Sequence, residues 1–464
     1  MPEIHDLSAT ELLGLYHSQA LSPIEATRAV LAHIGRWEPT LCATYRLDPD
    51  AALAAAEASQ ARWRDGRAGA LDGVPILIKE NIATKGVPVP LGTAATALQE
   101  AAQDAPPAAR VREAGAVILG KTTMPDYGML SSGLSSFHRL TRNPWDFAKN
   151  PGGSSAGAAA GAAAGYGPLH IGTDIGGSIR LPAGWCGVFG LKPSLGRVPI
   201  DPPYIGRVAG PMTRNVADAT LLMSVLSRPD DRDHMSLPYQ SCDWLALDRD
   251  VTGLRLGLLP DMGCGLAVEP QVRAAVEAAA RAFAAAGAIV EPMKPFLDRS
   301  MLDGVDYFWR MRAWADLSAL EATRRAKVLP FIVDWASAAA NLSGLELFRC
   351  FSQVFVMRQA AHAACRAYDY VLCPTAPIPA FAAELPCPTN DPARPFEHIA
   401  FTVPFNMSEQ PAASINCGYT ADGLPIGLQI VGRRFDDLGV LQLARAYERM
   451  RPAQRPWPRP PRSA

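Results

Sequence analysis

Two serines stand beside glycines in the stretch from Gly152 to Gly187, which reads GGSSAGAAAGAAAGYGPLHIGTDIGGSIRLPAGWCG. Gly153 precedes Ser154, and Gly176-Gly177 precede Ser178. A turn of the type Gly176-Gly177-Ser178 lets backbone N–H groups converge beside a hydroxyl. That is what acyl transfer needs, because bare backbone must approach the negative charge that develops on a carbonyl oxygen. Upstream, Lys79 closes the apolar run Val74-Pro75-Ile76-Leu77-Ile78. A free lysine has a pKa of about 10.4 and stays protonated at neutral pH, but burial disfavours the charged form and would turn it into a base. A lone lysine after a strand otherwise reads as a solvated surface charge. Residue type and spacing leave both readings of Lys79 open.

Two further motif matches fail on context. Gly115 to Thr122 reads GAVILGKT, the phosphate-binding G-x-x-x-x-G-K-T pattern. In a true phosphate loop the middle residues turn their N–H groups onto phosphates, after a strand and before a helix. Here Ala116-Val117-Ile118-Leu119 reads as a strand stopped by Gly120, and Ala108 to Ala114 before it reads as helix. Gly153 to Gly157 fits G-x-S-x-G with Ser155 in the nucleophile place, but Lys149-Asn150-Pro151-Gly152 before it is loop, where an elbow needs a strand. The eight histidines offer no obvious charge-paired base for Ser155.

The elements that must hold these residues follow from patterning. Ser8 with Glu11, and Ser22 with Pro23 and Glu25, supply two helix starts of the capping-box kind. Ala51 to Arg64, Ala156 to Gly165, Val272 to Ala285 and Leu438 to Arg449 read as helices. Short apolar runs at Val74–Ile78, Ala116–Leu119, Leu169–Ile171, Leu254–Leu259, Tyr370–Leu372 and Ile426–Val431 read as strands. Their alternation predicts an α/β fold with a largely buried central sheet covered by helices. Between Met301 and Phe355 lies a set of aromatics that includes Tyr307, Trp309, Trp335 and Phe348. Helical core packing explains them; lining an apolar ligand pocket is the sharper alternative.

The Gly152–Gly187 stretch resembles the amidase-signature family. The matching pieces are Gly152-Gly153-Ser154-Ser155, Gly172 to Arg180, Cys186-Gly187 and Gly190-Leu191-Lys192-Pro193. Gly73 to Asn81, Thr141 to Asp146, Gly210-Pro211-Met212 and Gly423 to Gln429 match as well. Ala156 departs, standing where the family usually has glycine. The resemblance spans roughly residues 5–450, so it implies one large layered domain with a central mixed sheet, although roughly 100–200 residues per domain would suggest two to four. The expected division is a catalytic domain over 1–450 and a Pro/Arg-rich tail over 451–464.

The family's roles carry over by position. The resemblance implies Ser178 as nucleophile, Ser154 as bridging serine after a cis peptide bond, and Lys79 as base. It implies an oxyanion hole from the N–H groups of Ile175, Gly176, Gly177 and Ser178. Ser155, Asp174 and Arg180 are expected to orient the site. Tyr127, Met129, Ser131 and Leu181 are expected to touch substrate. Leu181 lies three residues past Ser178, where relatives that grip a carboxylate carry arginine. An apolar residue there argues for a neutral carboxamide, anilide or carbamate, with esters as an extension. The alternative is the glutamine amidotransferase subunit of a tRNA-dependent complex; its loop usually reads GSSTENS, whereas Leu130 to Ser136 reads LSSGLSS.

Bulk properties narrow the partners. A formal net charge of −1 advertises neither nucleic acid nor an anionic membrane. The nine cysteines include no C-x-x-C pair and are odd in number, so reduced thiols are expected rather than a disulfide framework or a metal knuckle. The N-terminus lacks the pattern of a signal peptide, and Ala156–Gly165 is too short to span a bilayer. The expectation is therefore a cytoplasmic monomer or homodimer acting on a small amide or carbamate, with no cofactor and no metal.

Overall fold

Strand ends, rather than loops alone, set out the site. The computed structural model describes residues 3–461. Among these, eleven strands form one mixed sheet. They are β1 (Thr44–Leu47), β2 (Pro75–Lys79), β3 (Val117–Thr122), β4 (Leu169–Asp174), β5 (Phe189–Lys192) and β6 (Val208–Thr213), then β7 (Arg255–Leu258), β8 (Ile289–Pro292), β9 (Tyr370–Pro374), β10 (Ala412–Tyr419) and β11 (Pro425–Val431). The spatial order is β1-β3-β2-β4-β6-β5-β10-β11-β9-β7-β8. β2 runs parallel to both β3 and β4, with Ile78 opposite Ile171. β2 and β4 therefore finish at the same edge, with Lys79 and Thr173-Asp174 as their last residues. In α/β sheets, ligand sites lie outside such carboxyl ends.

The helices form where their caps and patterns place them. Both expected capping boxes close: Ser8 and Ser22 accept from the N–H groups of Glu11 and Glu25, whose carboxylates reach back to the serine N–H groups at 2.8 Å. A third box, Ser343 with Glu346, starts the Gly344–Cys365 helix. The Ala156–Ala164 helix is buried on every face. A helix with no polar face has no surface to offer water, and small residues let it lie close under the sheet. Gly157 shows how close: a Cβ there would sit 2.1 Å from the carbonyl oxygen of Ala43.

Some expectations need correction. The strand predicted to stop at Gly120 continues to Thr122, through an irregularity that shifts its register against β2. β1, β5, β6, β8 and β10 had no expected counterpart. The helix-then-strand order around Gly115–Thr122 holds, because Pro106–Glu113 is helical and Lys121 lies inside β3. The aromatics of 301–355 serve several purposes. Trp335 is buried and packs edge-on against Phe396, while Phe348 is 64% exposed. Of the expected tail, residues 451–461 are described; Trp457 lies 6.1 Å from Trp145, and Arg214 stands over its ring at 4.7 Å. The remainder of that tail, 462–464, and the first two residues of the expected 1–450 unit lie outside the described residues.

All nine cysteines are free thiols. Among the described residues no helix is long and apolar enough to cross a membrane, and no cluster of three His, Cys, Asp or Glu side chains could hold a metal ion.

Candidate active site

Lys79 is fully buried at the end of β2. Its Nζ lies 2.8 Å from Ser154 Oγ, 3.0 Å from Ser155 Oγ and 2.9 Å from Thr173 Oγ1. Burial pushes its pKa well below the ordinary lysine value, and the positive charge of Arg207 pushes the same way, against Asp174 and Glu80. Ser154 follows a cis Gly153–Ser154 peptide bond, and Ser155 stands at the N-cap position of the small-residue helix without a side-chain capping bond. Ser155 is tied on two further sides: its hydroxyl donates to the Thr173 carbonyl at 3.1 Å and accepts from the Thr173 N–H at 3.2 Å. Gly172 leaves room for this, since a Cβ there would stand 2.8 Å from Ser155 Oγ.

Ser178 sits on the turn that follows β4. Its carbonyl accepts from the Ser155 N–H at 3.2 Å, which anchors the turn to the start of the helix. Among the described residues its hydroxyl has no hydrogen-bond partner, and it faces the cleft together with Ser154. Gly177 adopts φ +128°, and a Cβ there would meet Thr402 Oγ1 at 2.5 Å.

The expected oxyanion hole is altered at one position. The Gly177 N–H donates to Asp174 Oδ1 at 2.8 Å, so it is committed to shaping the turn. The N–H groups of Ile175, Gly176 and Ser178 carry no such bond among the described residues. Asp174 also accepts from the Ile179 N–H at 3.1 Å. Its carboxylate pairs with Arg180 through Nη2 at 2.9 Å and Nε at 3.0 Å. Burial alone would raise its pKa, but the Arg180 charge and hydrogen bonds from Arg180 and Asn406 hold it below the usual carboxylate range. Arg180 spends its remaining donors on the Thr402 carbonyl, Gln429 Oε1 and Asn406 Oδ1.

The cleft above Ser178 has two arms. A narrow arm of about 40 Å³ is walled by Met129, Leu130, Ser131, Trp309, Phe396 and Ile399, with Arg312 at the wall it shares with the second arm. A wider arm of about 410 Å³ runs past Tyr127, Met129, Asn81 and Ser154, and is lined by Arg207, Arg312, Asp201 and Asp316. Tyr127, Met129 and Ser131 thus line the cleft that also holds Ser178. Leu181 does not: it is 1% exposed and lines neither arm. Its N–H bonds the Gly177 carbonyl at 2.7 Å, which starts the Arg180–Cys186 helix inward and turns Leu181 beneath the glycine turn. An open depression of about 730 Å³ around Arg110 and Asp230 lies elsewhere, and its charges pair with one another.

Sequence reasoning gave no role to Thr173 or Asn81, although both fall inside matching motifs. It had no signal for Arg207 or Arg312, which arrive from distant segments; Trp309, which lines the narrow arm, is one of the 301–355 aromatics for which pocket lining was the sharper alternative. Two histidines do have carboxylate partners: His5 lies 3.8 Å from Asp6, and His138 contacts Glu80. The second pair is buried beside β2, and Ser155 points instead to Lys79 and Thr173.

Comparison with known proteins gives this arrangement a family. The model of the family described as Amidase matches residues 25–441. A glutamyl-tRNA(Gln) amidotransferase subunit from Chloroflexus aurantiacus is 35% identical over 97% of this chain and 98% of its own. A bacterial aryl acylamidase of the amidase-signature enzymes superposes with a TM-score of 0.90 at 30% identity, covering 97% of each chain. The 6-aminohexanoate cyclic dimer hydrolase, solved with its substrate, gives 0.88 at 27% identity, over 97% of this chain and 98% of that one. Motifs, fold and relatives agree over nearly the whole length: the chain belongs to the amidase-signature family, whose members act on amide C–N bonds.

Proposed function

We propose that the chain hydrolyses the amide bond of a small molecule through Ser178, with Ser154 passing the proton to a neutral Lys79. The observation that carries this is the proton balance around Lys79. A neutral amine has two N–H bonds and one lone pair. Three hydroxyls surround it. Ser155 commits its proton to the Thr173 carbonyl, and the Thr173 hydroxyl is engaged by the Asn81 amide, accepting from Nδ2 at 3.1 Å with Oδ1 at 3.5 Å. The Ser154 hydroxyl makes no hydrogen bond but the one to Lys79 among the described residues, so its proton is available to the lone pair, and Ser154 lines the cleft with Ser178.

The steps follow. Ser178 Oγ bonds to the substrate carbonyl carbon as its proton moves to Ser154 and that of Ser154 moves to Lys79. The carbonyl oxygen takes the negative charge against the unengaged N–H groups of Ile175, Gly176 and Ser178. The C–N bond breaks as the relay returns the proton to the leaving nitrogen. Water then attacks the acyl-enzyme by the same route. The Ser178–Ser154 contact is the one link this relay forms on binding substrate, as catalytic hydrogen bonds of free enzymes commonly do.

The narrow arm, walled largely by Met129, Leu130, Trp309, Phe396 and Ile399, suits an aryl or alkyl group. Anilides and aryl amides are the proposed substrates, with carbamates and esters as extensions, because each builds the same oxyanion. Leu181 does not face the cleft, so it gives no reason to expect a wholly neutral substrate. A second reading, the glutamine-hydrolysing subunit of a tRNA-dependent complex, is favoured by the full-length likeness to such subunits. Two measurements test the proposal. A fluorophosphonate is expected to label Ser178; a label on Ser155 would refute the nucleophile. The purified chain alone is expected to turn over anilides in a panel of anilides, primary amides, esters and urethanes. Activity confined to glutamine, and only with partner subunits, would establish the second reading instead.

A further inference from the structure

We propose that Arg207 and Arg312 form an anion-binding fork in the wide arm, so that the preferred substrate carries a carboxylate on the side of its scissile amide that occupies this arm. The inference rests on the proposed amide hydrolysis at Ser178 and adds the charge of its substrate.

Two cationic side chains share the wall of one cavity with Ser178 and Ser154. Arg207 comes from the loop before β6, and Arg312 from the Arg299–Ser318 helix. Both are partly exposed. Neither forms a salt bridge among the described residues, although most arginines facing this molecule's interior do: Arg180, Arg197 and Arg310 are each paired. Arg207 spends one N–H on the Pro202 carbonyl at 3.3 Å. The Arg312 guanidinium carbon lies over the Tyr204 ring, 3.9 Å from its centroid, a cation–π contact that leaves its charge without a carboxylate partner among the described residues. Burial and then the like charge of Arg312 push the Arg207 pKa down to about 10, against Asp201, so Arg207 stays charged at neutral pH and the two guanidiniums repel each other. An anion between them relieves both. A guanidinium offers paired N–H donors matched to the two oxygens of a carboxylate.

Asp201 and Asp316 share the arm and are the competing charges. Asp316 is exposed and stands one helical turn beyond Arg312 without pairing to it. Were these acids the recognition groups, the arm would prefer an ammonium, and the test must separate the two outcomes.

The test uses matched substrates. Succinanilic acid and N-acetyl-4-aminobenzoate place a carboxylate on opposite sides of the amide; each is compared with its methyl ester and with an aminomethyl analogue. At least one acid is expected to exceed its own ester in kcat/KM by about 10-fold or more, mainly through KM, because hydrogen bonds to a charged group are the stronger kind. That ratio is expected to fall towards one in Arg207→Gln and in Arg312→Gln, and to survive in part in Arg312→Lys. Calorimetry of the same acids and esters with Ser178→Ala protein reads the fork without turnover. Equal affinity of acid and ester, or preference for the aminomethyl analogue, overturns the fork while leaving amide hydrolysis standing. Failure of every anilide together with failure to label Ser178 counts instead against the amidase reading, and calorimetry still decides the fork.

Discussion

Replacing Lys79 by alanine is expected to lower amide turnover by about 10²–10⁴-fold, the usual scale for loss of a general base. The expectation follows from burial and geometry together. Lys79 has no solvent contact, and its Nζ reaches Ser154 at 2.8 Å. Its pKa is displaced downwards by burial, with Arg207 adding to the effect. The base is the neutral form, so kcat/KM in the wild type should rise with pH through the lowered lysine pKa and level off above it. Lys79→Ala should lose that limb along with its rate. Lys79→Arg should fail as well, because guanidinium stays protonated. Lys79→Met, which keeps the volume and removes the amine, separates chemistry from packing: it should keep a cooperative thermal transition and still be inactive. Wild-type turnover in any of the three, measured on an anilide, would refute the base assignment.

Sequence patterning made the local architecture legible and left the long-range architecture hidden. The capping boxes at Ser8 and Ser22 formed as expected because every atom they need lies within one turn. Lys79 at a strand end and the fully buried Ala156–Ala164 helix were readable for the same reason. The expectations that failed each depended on a competing partner or a direction. Gly177 was expected to offer its N–H to substrate, but Asp174, three residues earlier, takes it first. Leu181 was placed by its distance from Ser178 along the chain, which says nothing about which way the next helix leaves the turn; it leaves inward. Among the missed strands, β10 (AASINCGY) is rich in small and polar residues, and β5 (FGLK) is four residues long. Their identity as strands comes from pairing with each other and their neighbours. The wide arm is the extreme case. Arg207 and Arg312 meet only because a sheet-edge loop and a distant helix converge there, and no local pattern marks either.

The largest structural effect is expected at Arg180. Arg180→Leu should destabilise the fold by about 3–5 kcal/mol, the scale for removing one partner of a buried ion pair. Both side chains of the Arg180–Asp174 pair are fully buried. Asp174 in turn holds the N–H groups of Gly177 and Ile179, which brace the turn that carries Ser178. With Arg180 gone, the carboxylate keeps its desolvation and loses its main counter-charge. The pH dependence has a definite sign. In the wild type the folded pKa of Asp174 is depressed, so its contribution is complete above the unfolded value of about 3.9 and is lost only as pH falls through the folded pKa. In Arg180→Leu the folded pKa moves above the unfolded one, so the destabilisation should grow as pH rises through the carboxylate range. Thermal midpoints at acid and neutral pH, with the parent alongside, measure this. Asp174→Asn combined with Arg180→Leu should recover part of the loss, because it removes the stranded charge, and the two changes should be strongly non-additive. Additive effects, or a loss in Arg180→Leu that is independent of pH, would mean that the pair does not brace the turn. The reactivity of Ser178 towards a fluorophosphonate gives the link to function: it should fall in Arg180→Leu even at temperatures where the variant remains folded, since the hydroxyl and its neighbouring N–H groups are held in place from below by Asp174.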